Sequence, residues 1–216
     1  MNLQDIFTHL AYGELSKLFL GEDGDIKRLQ QPQIVSSIQL GLTDLYKRIL
    51  IKEGQEVVSL TQGTSSYLLS NADVIQIERI VNSKGKELTL NDVNSPLSLR
   101  LIGELGFSVD DLYFTTNEIS TEDVIVYYRA AHPELNFVVG ATNPSNINIE
   151  LPLTYLQALL YYIAARVHTP VGLTKEFHAG NDYLTKYEAE VARLLQNNIR
   201  IDRVAESSHF EKGGWV

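Results

Sequence analysis

The apolar positions of this chain repeat with a helical period at both ends and with a strand period in the middle. The most regular helical segment is residues 152–168, where Pro152 suits a first turn because its missing N–H would have no partner there. Apolar residues recur at steps of three and four and form one face of this segment. That face consists of Leu153, Leu156, Leu160, Ile163, Ala164 and Val167. A second apolar face on the same segment predicts a helix that is covered on most sides.

A second periodic run follows a turn at residues 169–172. Its apolar positions are Phe177, Gly180, Leu184, Tyr187, Val191 and Leu194. The two runs predict an antiparallel helical hairpin, with Gly180 where two backbones approach closely. Two amphipathic helices are also predicted at the start of the chain, the first capped by Asn2 and the second opened by Pro32. Together the four helices predict a four-helix core.

The middle of the chain changes to short runs that alternate or are rich in β-branched residues. Residues 56–60 and 67–69 flank a turn and predict a hairpin, as do 74–81 and 87–90 around Asn82–Gly85. Residues 112–116 and 123–130 predict a third antiparallel pair, with Val124–Tyr128 as the strongest strand.

The predicted fold class is therefore α+β, with a four-helix core, an antiparallel β insertion and an extended C-terminal arm. Residues 1–53 and 150–198 form the helical core domain, and residues 54–135 form the β insertion domain. Residues 136–149, rich in Asn, Gly, Pro and Ser, form a linker, and residues 199–216 form the arm.

Composition narrows the possible functions. The chain has 216 residues, is 44% hydrophobic and contains no cysteine, which excludes disulfides and thiolate metal sites. No apolar run approaches about 18 residues and no cleavable signal is evident, which predicts a soluble protein made in a cytoplasm, without membrane contact. The net charge of −9 argues against a surface that binds phosphates broadly. It is compatible with nucleic acid that passes without adhering.

No pattern of residues predicts catalysis. The five histidines lack metal-ligand spacing, and neither a nucleophile elbow nor a phosphate loop is present. The acidic pairs Glu22–Asp23 and Asp110–Asp111 are typical of solvated turns. A hydrolase using scattered carboxylates such as Glu150 or Glu176 is the enzymatic alternative, and no spacing favours it. We therefore expect no catalytic residue, no metal and no cofactor, and a protein that is not an enzyme.

Surface patterns are more informative. Tyr155, Leu159, Tyr162 and Arg166 share the second face of the predicted helix 152–168. Tyrosine and arginine are enriched in the centres of protein interfaces. This face is covered either by another subunit or by the β insertion folding back, and we expect an oligomer.

The C-terminal segment, residues 199–216, shows no helical period and carries Phe210 and the only tryptophan, Trp215, after a Gly–Gly pair. Its charges balance, so the whole net charge of −9 belongs to residues 1–198. A frayed terminus is the ordinary interpretation of such a segment. An aromatic residue after two glycines also suits an arm that presents an anchor to a partner.

Four stretches carry a resemblance to a known family: Met1–Ser16, Ile38–Arg48, Ser59–Leu69 and Leu151–Arg166. Their content and order resemble the head-to-tail adaptor proteins of short-tailed bacteriophages, the family that includes tail tubular protein A. The resemblance covers nearly the whole chain as an arrangement of elements, without a short invariant motif.

The resemblance implies a structural virion protein, made in the host cytoplasm, that forms a dodecameric ring beneath the portal protein. Such a ring extends the DNA channel, lets DNA pass without specific binding and docks the tail nozzle protein. It also implies that the C-terminal arm binds the portal, through Arg200, Arg203, Phe210 and Trp215. The alternative is another tail completion or assembly factor that forms no ring on the portal.

Overall fold

The computed structural model describes residues 1–18, 21–22, 25–95, 97–168 and 174–206. The fold is α+β. In this part of the chain there are five α-helices, a four-stranded and a three-stranded antiparallel sheet, and a ribbon of two strands with two residues each. The chain divides into two compact units, one made of residues 1–45 with 134–216 and the other of residues 46–133.

The predicted four-helix core is wrong, for two reasons. The first helix, α1 (Leu3–Tyr12), packs mainly against the ribbon of β1 (Gly21–Glu22) and β2 (Asp25–Ile26) and against a 3₁₀ turn at Pro144–Asn146. It is thus not an equal member of a bundle. A helix that the sequence pattern did not predict, α3 (Asp111–Asn117), lies in the second unit.

The remaining helices of the first unit are α2 (Gln31–Arg48), whose last residues belong to the second unit, α4 (Leu156–His168) and α5 (Thr174–Glu206). Asn2 caps α1 through a capping box with Asp5, which satisfies two N–H groups of the first turn. Pro152 precedes a 3₁₀ turn at Leu153–Tyr155, so the α-helix starts four residues later than predicted. The helices α4 and α5 pack closely against each other, as the predicted helical hairpin requires.

The first residues of the predicted C-terminal arm have a different conformation from the predicted one. Residues 199–206 continue α5 as helix, so the extended conformation predicted for them is wrong. Residues 207–216 lie outside the described residues. Local apolar periodicity gave no helix signal there, but an α-helix that is already 25 residues long propagates without one, since each added residue gains a backbone hydrogen bond.

The second unit contains both sheets. The four-stranded sheet has the order β3 (Glu53–Thr61), β9 (Thr121–Ala130), β5 (Val74–Asn82), β6 (Glu87–Leu88). The three-stranded sheet has the order β4 (Ser66–Leu68), β8 (Gly106–Ser108), β7 (Arg100–Ile102). Their shared core contains Leu60, Ile77, Ile80, Leu99, Phe107, Val109, Tyr113, Phe114, Val124 and Val126. The predicted strand Val124–Tyr128 is part of β9, which pairs on both sides and holds the larger sheet together.

Two of the predicted strand pairings are wrong. The turn after β3 does not make a hairpin, because β3 pairs with β9 and β4 pairs with β8. Residues 112–116 are helical rather than extended, because the Asp110 side chain accepts a hydrogen bond from the N–H of Leu112 and caps α3. The antiparallel pairing of β5 with β6 follows the predicted turn at Asn82–Gly85.

Candidate functional site

A groove of about 570 Å³ lies on the first unit between α2, α4 and α5. We call it the three-helix groove. Its lining residues are Gln33, Ser36, Ser37, Leu40, Tyr162, Ala165, Arg166, Gly180, Asn181 and Leu184. Two of them, Tyr162 and Arg166, belong to the face that the sequence predicts as a subunit interface.

A glycine sets the distance between α2 and α4 beside the groove. A Cβ atom at Gly41 would lie 2.7 Å from Leu159 Cδ1 and 2.9 Å from Tyr162 Cδ1, closer than real Cβ contacts. The absence of a side chain at Gly41 therefore lets both residues of α4 pack directly on the α2 backbone. Leu159 is completely buried there.

Tyr162 is held from its other side by α5. Its ring meets the ring of Tyr187 edge-to-face, with centroids 5.2 Å apart, a favourable aromatic geometry. Tyr187 is almost fully buried, and its hydroxyl donates a hydrogen bond to Asp44 Oδ2 of α2. These contacts join the three helices and leave Tyr162 half-buried at the floor of the groove.

Apolar side chains line the groove where water reaches it. Leu40 is 43% exposed and Leu184 is 47% exposed. Leu184 belongs to the same stripe of α5 as Tyr187, Val191 and Leu194, whose exposed fractions are 2% or less. The apolar stripe of α5 is therefore buried at Tyr187, Val191 and Leu194 but half exposed at Leu184. A partner that covered the groove would bury this apolar surface, which would favour binding.

Arg166 provides the charge at the groove. Its side chain is exposed, and its guanidinium lies 5.7 Å from the centroid of the Tyr162 ring, within the range of a weak cation–π contact. Among the described residues it forms no ion pair. In a chain of net charge −9, an arginine beside exposed leucines is suited to a carboxylate on a partner.

The four predicted interface residues thus have different environments. Tyr162 and Arg166 line the groove, Leu159 belongs to the core, and Tyr155 is half-buried in the 3₁₀ turn before α4. Leu40 carried no interface signal in the sequence. Leu184 was predicted as part of a buried stripe, and only the positions of α2 and α4 reveal that it is half exposed.

The predicted portal-binding residues belong to the last part of the chain, residues 199–216. Arg200 and Arg203 belong to the helical backbone of α5, but their side chains are outside what the structure describes. Phe210 and Trp215 lie in residues 207–216, outside the described residues.

Polar clusters elsewhere are explained by the fold. The Tyr113 hydroxyl donates to Glu122 at 2.5 Å, and burial together with this carboxylate raises the pKa of Tyr113. The buried His168 stacks on Tyr183 with ring centroids 5.2 Å apart and packs near the Glu14 carbonyl. Within the described ranges no three His, Asp or Glu side chains are grouped so as to hold a metal ion, and no helix is long and apolar enough to cross a membrane.

Neither a protein-family model nor a curated protein matches this sequence.

Proposed function

We propose that this chain is a structural ring adaptor that joins the portal of a short-tailed phage to its tail and extends the DNA channel. In this proposal the ring is dodecameric, the upper partner is the portal protein and the lower partner is the tail nozzle protein. The support from sequence is the resemblance carried by residues 1–16, 38–48, 59–69 and 151–166.

The observation that carries the proposal is the three-helix groove. It leaves Leu40 and Leu184 nearly half exposed beside Tyr162 and Arg166, a combination of apolar, aromatic and arginine side chains typical of interface centres. A ring is built from heterologous contacts, in which one surface of each copy meets a different surface of the next. The groove is the surface of each copy that we assign to its neighbour.

The charge of the chain suits the passage of DNA. A net charge of −9 disfavours tight binding to the phosphate backbone, because no large excess of cations is available to release counterions. A channel formed by such a protein lets DNA move without specific contacts. The proposal therefore includes DNA as a passenger and not as a ligand.

The C-terminal segment takes the portal side in this proposal. Phe210 and Trp215 act as apolar anchors, and Arg200 and Arg203 supply positive charge. Aromatic side chains that fill pockets of a partner supply much of the binding energy of an interface.

The experiment is to mix the purified chain with purified portal rings of the same virus and measure the mass of the product. The proposal expects one added ring of adaptor copies per portal. Removing residues 207–216 leaves the described part of α5 intact and should abolish binding; unchanged binding would remove the portal role of Phe210 and Trp215. Binding of single copies without a ring would instead favour the alternative of a tail completion factor.

A further inference from the structure

The strand β3 forms one edge of the four-stranded sheet, and alternate residues of it face outward. The carbonyl of Lys52 accepts from the N–H of Ala130 at 2.9 Å, and the N–H of Gln62 donates to the carbonyl of Ser120 at 2.9 Å. In an antiparallel ladder the residues that bond to the partner alternate with those that do not. Even-numbered residues of β3 therefore bond to β9, and odd-numbered residues direct their N–H and C=O groups away from the sheet.

Among the described residues, hydrogen bonds close the outward edge of β3 only at Thr61. The Tyr67 hydroxyl bonds to both backbone groups of Thr61, at 2.7 Å to its N–H and 3.1 Å to its carbonyl. No described residue bonds to the outward N–H and C=O groups of Gln55, Val57 and Ser59. The side chains of these three residues are exposed, and that of Val57 is 64% exposed. Together they form a row of unpaired backbone groups with a valine at the centre.

Proteins normally protect such edges with bulges, prolines, lysines or very short strands. The opposite edge of this sheet follows that rule, because β6 has two residues and the register of β5 shifts twice. The strand β3 has nine residues in unbroken register and contains neither proline nor lysine. Its two acidic side chains are already engaged, Glu53 with Arg79 at 3.2 Å and Glu56 with the Ser70 hydroxyl at 2.8 Å.

We propose that two copies of the free chain pair through β3, antiparallel and centred on Val57. This register places Val57 opposite Val57 and Gln55 opposite Ser59, and it joins two four-stranded sheets into one. The outward groups of these residues then form about six hydrogen bonds, two for each residue pair.

The side chains fit this register. The Val57 pair covers an exposed apolar side chain in both copies. The Ser59 hydroxyl donates to Asp123 at 2.6 Å, which leaves its oxygen free to accept a hydrogen bond from the Gln55 amide of the other copy. Like charges do not oppose each other directly within residues 55–59. Because the edge of β3 is complementary to itself in this register, we expect a second copy of the chain to bind to it.

This pairing is separate from the proposed ring. It is an isologous contact with twofold symmetry, whereas a ring uses heterologous contacts. A strand pair of this length buries less surface than the about 1,200 Å² below which complexes are weak and transient. We therefore assign the pairing to the concentrated free protein and expect a reversible dimer.

The test introduces charges at the central pair. Val57→Lys and Val57→Glu each place two like charges opposite each other, which destabilises a strand pair. Each variant should self-associate at least tenfold more weakly than the parent in sedimentation equilibrium. An equimolar mixture of the two should dimerise again, because lysine then faces glutamate. Val93→Lys is the matched control, since Val93 is 93% exposed and lies outside the strand; it should dimerise like the parent.

Three results would overturn the proposal. The first is a parent chain that stays monomeric up to millimolar concentration. The second is a Val57→Lys variant that dimerises as well as Val93→Lys. The third is a Lys and Glu mixture that stays monomeric, with unchanged thermal unfolding showing that both variants fold. None of these outcomes bears on ring formation with the portal, which uses the groove of the other unit.

Discussion

Replacing Leu184 and Leu194 by alanine, one at a time, compares the three-helix groove with the closed core of the same helix. Both leucines belong to one apolar stripe of α5, but Leu194 is 2% exposed and Leu184 is 47% exposed. A buried leucine changed to alanine costs about 2–5 kcal/mol, because burial is lost and a cavity remains. About half of the Leu184 side chain is already in water and no closed cavity is left, so its change should cost about 1 kcal/mol.

The assay has two parts. Urea unfolding of the free chain should show a much lower midpoint for Leu194→Ala than for Leu184→Ala, with similar slopes. Assembly on the portal should show the opposite ranking of the two variants. It is measured without urea, at a temperature at which both variants are folded. Leu184→Ala should weaken the ring contact, because its side chain is covered only there.

Either of two results would rule out the three-helix groove as the ring contact. If Leu184→Ala destabilises the free chain as much as Leu194→Ala, the groove is closed in solution and offers no surface. If Leu184→Ala assembles like the parent, the groove is open but does not receive the neighbouring copy.

Three further predictions concern the stability of the free chain in urea unfolding. Gly41→Ala should destabilise by about 1 kcal/mol through its clash with Leu159, although helix propensity alone favours alanine; stabilisation would contradict the close packing. Burial alone would raise the pKa of Glu56, but hydrogen bonds from Ser70 and Asn71 outweigh it and lower the pKa. Glu56→Gln should therefore destabilise the chain well above pH 4.5, the ordinary carboxyl pKa, but by less than about 1 kcal/mol because water screens these surface hydrogen bonds. The difference should vanish as pH falls through the lowered pKa of the folded state; a pH-independent difference would refute this. Asp110→Ala should cost about 1 kcal/mol through loss of the α3 cap, more than Asp111→Ala.

Local patterns predicted local structure well. The apolar period of residues 152–168 and 177–194 predicted the paired helices α4 and α5, and the β-branched run Val124–Tyr128 predicted the central strand β9. The turn at Asn82–Gly85 predicted the pairing of β5 with β6. Each of these features is decided by residues close together in the sequence.

Pairing between distant residues was not predictable in the same way. The turn after β3 carries local hairpin signals, yet β3 pairs with β9 some 60 residues later, because burial of Val124 and Val126 in the shared core decides the register. The helix α3 was mistaken for a strand because its aromatic residues suit both structures, and the cap at Asp110 decides between them.

The groove was predictable only in part. Tyr162 and Arg166 are of residue types that are common in interfaces, so the sequence indicated an interface at these positions. Both residues line the groove. Leu159 shares their face but packs on Gly41, which no periodicity reveals. Whether an apolar residue of a helix is covered depends on where its neighbouring helices end, and this is a tertiary property.

Electron microscopy of the chain mixed with portal rings would show directly whether the chain forms a ring there. We predict a second ring stacked coaxially on the portal, continuous with its channel, in which the groove formed by Leu40, Tyr162, Arg166 and Leu184 is covered by the neighbouring copy. Portal rings that stay bare, or a ring in which this groove faces solvent, would contradict it.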